Sequence, residues 1–142
     1  MAVYYVDYEN VNFTGFLGIE GLRKRDKIFI FCREEQIEYI KRKFLAIGDI
    51  KPVITYIAVE GNNPNALDFQ LVTYMGLHIK QKDLSYIISA DHGFDSAIDL
   101  FRKEGFLVYR RKSVSSDYEP LELYRKVYEL PTLPVKKRRC RR

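Results

Sequence analysis

Residues 2–10 read Ala-Val-Tyr-Tyr-Val-Asp-Tyr-Glu-Asn, an apolar run of strand length that ends directly in polar side chains. Four more apolar runs of strand length follow along the chain, at residues 27–32, 52–59, 86–90 and 106–109. Because these runs are apolar throughout rather than alternating, they are typical of strands in a parallel sheet that is covered on both faces.

The segments between the runs have the residue spacing of helices. Apolar residues recur three and four positions apart in three of them: Ile37, Ile40, Phe44 and Ile47; Leu67, Leu71 and Met75; Phe94, Ala97, Ile98 and Phe101. Gly48 and Gly105 are placed to end the first and third helices, whereas Asn63 can cap the second and Pro64 can begin it. The glycine-containing segment 11–23 predicts a short helix or an irregular crossover.

Strands that alternate with helices predict a three-layer α/β sandwich around a central parallel sheet of about five strands. We expect the strand order 3-2-1-4-5, which reverses between the first run, 2–6, and the fourth, 86–90. At such a switch point a crevice lies outside the carboxyl ends of the two strands. Asp7 and Asp91 are the first residues past those ends, so they are expected to line this crevice.

The composition predicts one globular domain in the cytoplasm. The chain has 142 residues, of which 46% are hydrophobic and 14% aromatic. No apolar run approaches the ~20 residues that a membrane-spanning helix needs, and the N-terminus lacks the features of a secretory signal. Cys32 and Cys140 do not form a disulfide framework, and Cys32 is expected to be a buried structural thiol.

The positive charge is concentrated at the C-terminus. The net charge is +5, but the last seven residues hold six positive charges, which leaves −1 for residues 1–135. We therefore predict a domain over residues 1–130, whose last helix begins at Pro120, and a flexible basic tail over residues 131–142. Such a tail binds polyanions through counterion release, although a solvated terminus of no further role has the same composition.

Four aspartates, Asp7, Asp68, Asp91 and Asp95, follow apolar runs or begin helical segments. Taken singly, Asp7 can serve in a turn, and Asp68 and Asp95 can be favoured in the first turns of helices. Together they would repel one another unless a cation neutralised them. Carboxylate oxygens select Mg²⁺ or Mn²⁺ rather than zinc, and the His and Cys residues lack the spacing of a zinc site.

Signatures of several other enzyme classes do not occur in the sequence. There is no glycine-rich phosphate-binding loop of the dinucleotide or ATP type after the first run, and no G-x-S-x-G nucleophile turn. His92, beside Asp91, is a candidate for a phosphate contact. Tyr8 and Phe13 are candidates for stacking on a nucleic-acid base, although packing in the core explains each of them equally simply.

Three blocks of sequence resemble the PIN-like nucleases, a superfamily that includes the NYN group, and look most like a bacterial PIN-like subgroup. The blocks are Val6-Asp7-Tyr8-Glu9-Asn10-Val11, Asn65-Ala66-Leu67-Asp68-Phe69 and Ile88-Ser89-Ala90-Asp91-His92-Gly93-Phe94-Asp95. The resemblance implies a small α/β domain with an acidic Mg²⁺ or Mn²⁺ pocket that cleaves RNA and sometimes DNA. It covers residues 1 to about 111.

The resemblance also implies roles for individual residues. Asp7, Asp68 and Asp91 would be metal ligands, Asn10 would orient Asp7 or a water at the metal, and Ser89 would support Asp91. Many relatives carry a further acid two residues after the equivalent of Asp91, where this chain has Gly93. Asp95, one helical turn later, is the candidate replacement and the predicted fourth ligand.

The sequence thus predicts metal-assisted hydrolysis of RNA. Arg110, Arg111 and Lys112 are expected to form a basic rim, and the tail residues Lys136, Lys137, Arg138 and Arg139 to add affinity for nucleic acid. The alternative is a weakly active or inactive module that binds nucleic acid or protein, an interpretation that Gly93 favours. A receiver-like or phosphatase-like protein ranks last, and a homodimer or a protein partner stays open.

Overall fold

The computed structural model describes residues 1–115. The strands are β1 (Ala2–Asp7), β2 (Lys27–Cys32), β3 (Val53–Ala58), β4 (Leu84–Ile88) and β5 (Leu107–Arg111). The α-helices are α1 (Tyr8–Val11), α2 (Ile37–Ile47), α3 (Ala66–His78) and α4 (Asp95–Lys103), and short 3₁₀ segments lie at Asn12–Phe16, Ile19–Gly21, Glu34–Gln36 and His92–Phe94.

All five strands form one parallel sheet in the order β3-β2-β1-β4-β5, as predicted. β1 lies at the centre, where Tyr5 pairs with Phe29 of β2 on one side and with Ile87 of β4 on the other. The strand order therefore reverses between β1 and β4. The carboxyl ends of these two strands lie side by side at the predicted switch point.

The three central strands, β2, β1 and β4, are buried on both faces, which explains why they read as continuous apolar runs. One core cluster contains Tyr4 and Val6 of β1 with residues of the first crossover and of α2. The other contains Val3 and Tyr5 of β1 with residues of α3 and α4. Alternate side chains of one strand thus enter different halves of the core.

Tyr8 and Phe13 are both buried, and their rings meet edge to face with centroids 5.8 Å apart. Phe13 also packs against Phe16 and Phe44. Both residues therefore belong to the core, and the stacking role considered for them is wrong in this structure. Cys32 is fully buried as predicted, and burial raises the pKa of its thiol to about 11.

Helix ends follow the predicted signals with one exception. Gly48 and Gly105 end α2 and α4 with positive φ angles of 105° and 95°. The second predicted helix, by contrast, begins at Ala66 and not at Pro64. Asn63 Oδ1 accepts a hydrogen bond from the Asn65 backbone N–H at 2.9 Å, which closes a turn ahead of the helix instead of capping it.

Two strand boundaries also differ from the prediction in ways that affect the site. β4 ends at Ile88 rather than at residue 90, so Ser89 and Ala90 leave the strand and lead to Asp91. β5 extends to Arg111, which places Arg110 inside the strand rather than beyond it. The Ser89 backbone N–H still donates to the Arg111 carbonyl at 2.8 Å, so the two strand ends stay attached.

After β5 the chain returns to the first crossover, which consists of α1 and two 3₁₀ segments as the glycine content predicted. The backbone N–H groups of Val114 and Ser115 donate to the carbonyls of Gly15 and Leu17 at 2.9 and 3.0 Å. The predicted helix at Pro120 and the predicted tail at 131–142 lie outside the described residues. In residues 1–115 no helix is long and apolar enough to span a membrane.

The close approach at Gly15 gives a test of this packing. A Cβ at Gly15 would lie 2.3 Å from Val11 Cγ2, and Val11 is a stiff, buried side chain. We expect Gly15→Ala to lower the free energy of unfolding by about 1–3 kcal/mol in urea titrations. Gly21→Ala is the control because nothing lies within 4 Å of a Cβ there. Equal effects of both changes would contradict the close packing at Gly15.

Candidate active site

Two of the predicted aspartates lie at the carboxyl ends of the central strands, and a third comes from a neighbouring helix. Asp7 is the last residue of β1, and Asp91 follows β4 after a two-residue link. Asp68 enters from the first turn of α3, which packs against β1 and β2. The local cause is the same for each acid: a buried strand ends, or a helix begins, next to it, on the side of the sheet where crevices of such folds lie.

Ser89 connects two of these acids. Its hydroxyl donates to Asp7 Oδ2 at 2.9 Å and accepts from the Asp91 backbone N–H at 3.0 Å. Ser89 itself is fully buried. The resemblance implied that Ser89 supports Asp91, and the structure adds a direct bond to Asp7 across 82 residues of sequence. One buried hydroxyl thus fixes the spacing between the ends of β1 and β4.

Asn10 makes a second connection between the same strand ends. Its backbone N–H donates to Asp7 Oδ1 at 3.3 Å, and its side-chain Oδ1 accepts from the Ala90 backbone N–H at 2.8 Å. The predicted orienting effect on Asp7 therefore comes from the Asn10 backbone. The Asn10 side chain instead holds the segment that leads to Asp91.

The electrostatic environment of the pocket opposes ionisation of its acids. Asp7 is only 3% exposed, and burial raises the pKa of its carboxyl group to about 6 even though hydrogen bonds from Ser89 and Asn10 act in the opposite direction. The charges of Asp68 and Glu9 raise it further. Burial also raises the pKa of Asp68, with added contributions from Asp91 and Glu9. These four carboxylates therefore share one electrostatic environment.

Glu9 is the residue of this group that the sequence reasoning did not assign to the site. It lies in the first turn of α1, two residues after Asp7, and forms an ion pair with Arg33 in which Arg33 Nε is 3.2 Å from Glu9 Oε1. The feature of the sequence that could have pointed to Glu9 is the presence of three polar residues, Asp7, Glu9 and Asn10, within four positions. Its electrostatic effect on Asp68 could not be read from the sequence.

A hard divalent cation fits the donor chemistry of this pocket. Asp7, Asp68 and Asp91 offer only oxygen ligands. Burial is the main cause of the raised pKa values of Asp7 and Asp68, and neighbouring carboxylates raise them further, a repulsion that a cation would offset. Within residues 1–115, however, no group of three or more His, Cys, Asp or Glu side chains forms a ready-made metal site. A bound ion would have to draw the carboxylates together.

Asp95 has a different environment from the one predicted for a fourth ligand. Its Oδ1 accepts from Arg110 Nε at 2.8 Å, and its Oδ2 lies 3.0 Å from His92 Nδ1. The hydrogen bond from Arg110 is the largest cause of a lowered pKa at Asp95. The structure thus pairs Asp95 with a cation of the protein, and its role as a fourth metal ligand stays a prediction.

Gly93 allows the tight turn around Asp91. The Gly93 backbone N–H donates to Asp91 Oδ1 at 2.8 Å, and a Cβ at position 93 would lie only 3.1 Å from that oxygen. A side chain at this position would therefore press on the third aspartate. The absence of an acid at position 93 matches the close packing of this turn.

The predicted basic rim is only partly available to a ligand. Arg110 is held by Asp95, and its Nη1 also donates to the Ser89 carbonyl at 3.3 Å. The Arg111 guanidinium lies over the ring of Tyr86, 4.1 Å from its centroid, and Lys112 is exposed. His92 is exposed beside Arg110 and Asp95. Lys136, Lys137, Arg138 and Arg139 lie outside the described residues.

The raised pKa of Asp7 has a consequence for stability. A carboxyl group with a pKa of 3.8 when unfolded and about 6 when folded binds more protons in the folded state between these values. Its contribution to the free energy of unfolding therefore falls as the pH rises through this window and stays low above it.

We therefore expect Asp7→Asn to raise the free energy of unfolding at pH 7. The pKa shift of Asp7 corresponds to about 3 kcal/mol of lost stability at pH 7. The hydrogen bond with Asn10 is weaker in the variant, which reduces the expected gain by about 1 kcal/mol. Urea titrations from pH 3.5 to 7.5 should show a gain of about 1–2 kcal/mol at pH 7 that disappears near pH 4. Asp99→Asn, on the exposed side of α4, should show no such pH-dependent gain. A variant less stable than the wild type at pH 7 would contradict the raised pKa.

The comparisons with known proteins agree with this geometry. The family model described as PIN domain matches residues 1–111, a span that includes all five strands and the three aspartates of the pocket. No curated protein and no solved structure matches the chain at a significant level. PIN domains are generally nucleases, and they typically use Mg²⁺ or Mn²⁺. Because the match covers most of the chain, the protein belongs to the PIN domain family.

Proposed function

We propose that this protein is a metal-dependent nuclease that hydrolyses phosphodiester bonds in RNA. The observation that carries the proposal is the buried Ser89 hydroxyl, which joins the Asp7 carboxylate to the Asp91 backbone at the switch point of a PIN domain sheet. Asp68 belongs to the same group of acids: burial is the main cause of its raised pKa, and the charge of Asp91 raises it further. DNA is the second substrate class that the same chemistry accommodates.

In this proposal Asp7, Asp68 and Asp91 hold Mg²⁺ or Mn²⁺. The bound ion would supply Lewis-acid chemistry, which activates a water and stabilises the leaving 3′-oxygen of an in-line displacement. Ser89 and Asn10 position Asp7 with hydrogen bonds to both of its oxygens. Burial of Asp7 limits access of bulk water to this side of the pocket.

The acidic pocket needs positive charge nearby if a polyanion is to approach. Lys112 is exposed after β5, and Arg111 presents a guanidinium on the ring of Tyr86. The basic C-terminal residues add six positive charges to a chain that is otherwise near neutral. We propose that these residues supply affinity independent of sequence. A cytoplasmic location is part of the same proposal, because the cysteines do not suggest a secreted domain.

A second candidate function is binding of nucleic acid without turnover. Two observations favour it: Asp95 is paired with Arg110, and position 93 carries no acid. The pocket then lacks the fourth ligand that the sequence led us to expect. A domain of this kind would bind nucleic acid through its basic residues and leave it intact.

Cleavage assays with an Asp91 variant distinguish the two candidates. We expect the purified wild type to cleave labelled single-stranded RNA with Mg²⁺ or Mn²⁺ and to stop when a chelator is added. Asp91→Asn should lower the rate by at least about 100-fold, since losses of this size follow even from changes around metal ligands. Asp99→Asn, an acid on the exposed side of α4, is the matched control and should keep the wild-type rate.

Cleavage that continues in chelator, or that is unchanged in Asp91→Asn, would overturn the metal mechanism. Binding of RNA without any cleavage in Mg²⁺ or Mn²⁺ would favour the second candidate. Thermal unfolding of both variants shows whether a lost rate reflects a lost fold.

Deletion of residues 135–142 tests the proposed role of the tail. The truncated chain should bind RNA more weakly, and its affinity should depend less steeply on salt because up to six phosphate contacts are removed. Its thermal unfolding should match that of the full chain. An unchanged slope of log affinity against log salt would show that the tail does not contact the phosphates.

A further inference from the structure

Two arginine–carboxylate pairs lie beside the candidate active site, and they differ in how they are held. Arg110 Nε lies 2.8 Å from Asp95 Oδ1, and Arg33 Nε lies 3.2 Å from Glu9 Oε1. The first pair joins Arg110, near the end of β5, to Asp95 at the start of α4, and the second joins Arg33, just after β2, to Glu9, just after β1. Both pairs therefore lie at the carboxyl ends of the strands, the same end of the sheet as Asp7 and Asp91.

Arg110 has little capacity left for a ligand. Its Nε contacts Asp95, its Nη1 contacts the Ser89 carbonyl at 3.3 Å, and its Nη2 lies 2.7 Å from His92 Nδ1. The side chain is only 16% exposed. All three nitrogens of this guanidinium thus have partners in the protein, and they fasten β5 to the segment that carries Asp91.

Arg33 is held by its backbone, and its side chain is more exposed than that of Arg110. The Arg33 N–H donates to Gln36 Oε1 and the Arg33 carbonyl accepts from the Gln36 N–H, both at 2.9 Å. The side chain is 42% exposed. Among the hydrogen bonds and ion pairs of residues 1–115, its Nε alone takes part, so both Nη groups can meet an anion.

The position of Arg33 connects it to the acidic pocket through Glu9. Glu9 follows Asp7 by two residues, and its charge reaches both Asp7 and Asp68. An ion pair with both side chains about 40% exposed contributes little to stability, so a competing anion can displace Glu9 at small cost. A phosphate diester offers the two oxygens that the planar arginine fork binds.

We propose that Arg33 leaves Glu9 and binds a backbone phosphate of the nucleic-acid strand at the mouth of the pocket. This inference rests on the proposed nuclease function. Glu9 then acts as a competitor for the arginine. A strand that binds must displace Glu9 from Arg33 with one of its phosphates.

Binding and cleavage of labelled single-stranded RNA by the full chain test the proposal. Binding is measured by fluorescence anisotropy in chelator over a range of salt, and cleavage by initial rates in Mg²⁺. Arg33→Ala should weaken binding about 5- to 20-fold and reduce the salt slope by about one. It should raise KM by a similar factor and leave kcat within about twofold. Arg33→Lys should recover part of the loss.

Arg42→Ala, which removes the same charge from the exposed side of α2, is the matched control and should change affinity less than twofold. Glu9→Gln as a single substitution should strengthen RNA binding. The same change made in the Arg33→Ala background should have a smaller effect, because Glu9 competes with RNA only by pairing with Arg33. Arg33→Gln keeps most of the side-chain stem and is the substitute if Arg33→Ala unfolds.

Each result has a separate meaning. If Arg33→Ala and Arg42→Ala bind and cleave alike, the inference is overturned and the nuclease proposal stands. If affinity falls without a change in salt slope, the arginine does not contact a phosphate and the inference is also overturned. If the wild type binds but never cleaves, the nuclease proposal fails, and the binding series in chelator still decides the role of Arg33.

Discussion

The hydrogen bond from the Ser89 hydroxyl to Asp7 is the interaction on which the site depends. It joins the ends of β1 and β4, which are neighbours only because the strand order reverses at that point. The same oxygen accepts from the backbone of Asp91, so one buried group positions two acids. Loss of this contact would leave a buried carboxylate without its strongest partner, which is costly in a low-dielectric interior.

The pocket contains a buried acid whose ionisation lowers the stability of the fold. Burial raises the pKa of Asp7 to about 6, and the negative charges of Asp68 and Glu9 further disfavour its ionised form. A domain selected only for stability would place a neutral side chain here. Local costs of this kind are typical of functional sites, where the rest of the fold compensates for them. The neighbouring Arg110–Asp95 pair has the opposite effect on ionisation, since the hydrogen bond from Arg110 lowers the pKa of Asp95. Arg110 also donates to the Ser89 carbonyl, which attaches β5 to the segment that leads to Asp91.

Much of the architecture could be predicted because it follows from local patterns. Runs that are apolar on both faces indicated a covered parallel sheet. Gly48 and Gly105 indicated helix ends because glycine readily adopts the positive φ angle that both residues have in the structure. Asn63 shows the limit of such rules, since the same side chain can cap a helix or close a turn just before it. Boundaries of β4 and β5 also shifted by one or two residues, which is enough to move Arg110 from a free rim into a strand.

The sequence by itself determined the order of the elements, the placement of Asp7 and Asp91 at strand ends, and membership of a family with an acidic pocket. Only the tertiary structure decided which acids face one another and which face arginines. Ser89 meets Asp7 across 82 residues, and Arg110 meets Asp95 across 15. Such contacts depend on strand register and side-chain direction, which periodicity does not encode. For that reason the ion pair between Glu9 and Arg33, which depends on β1 and β2 lying side by side, could not be predicted from the sequence.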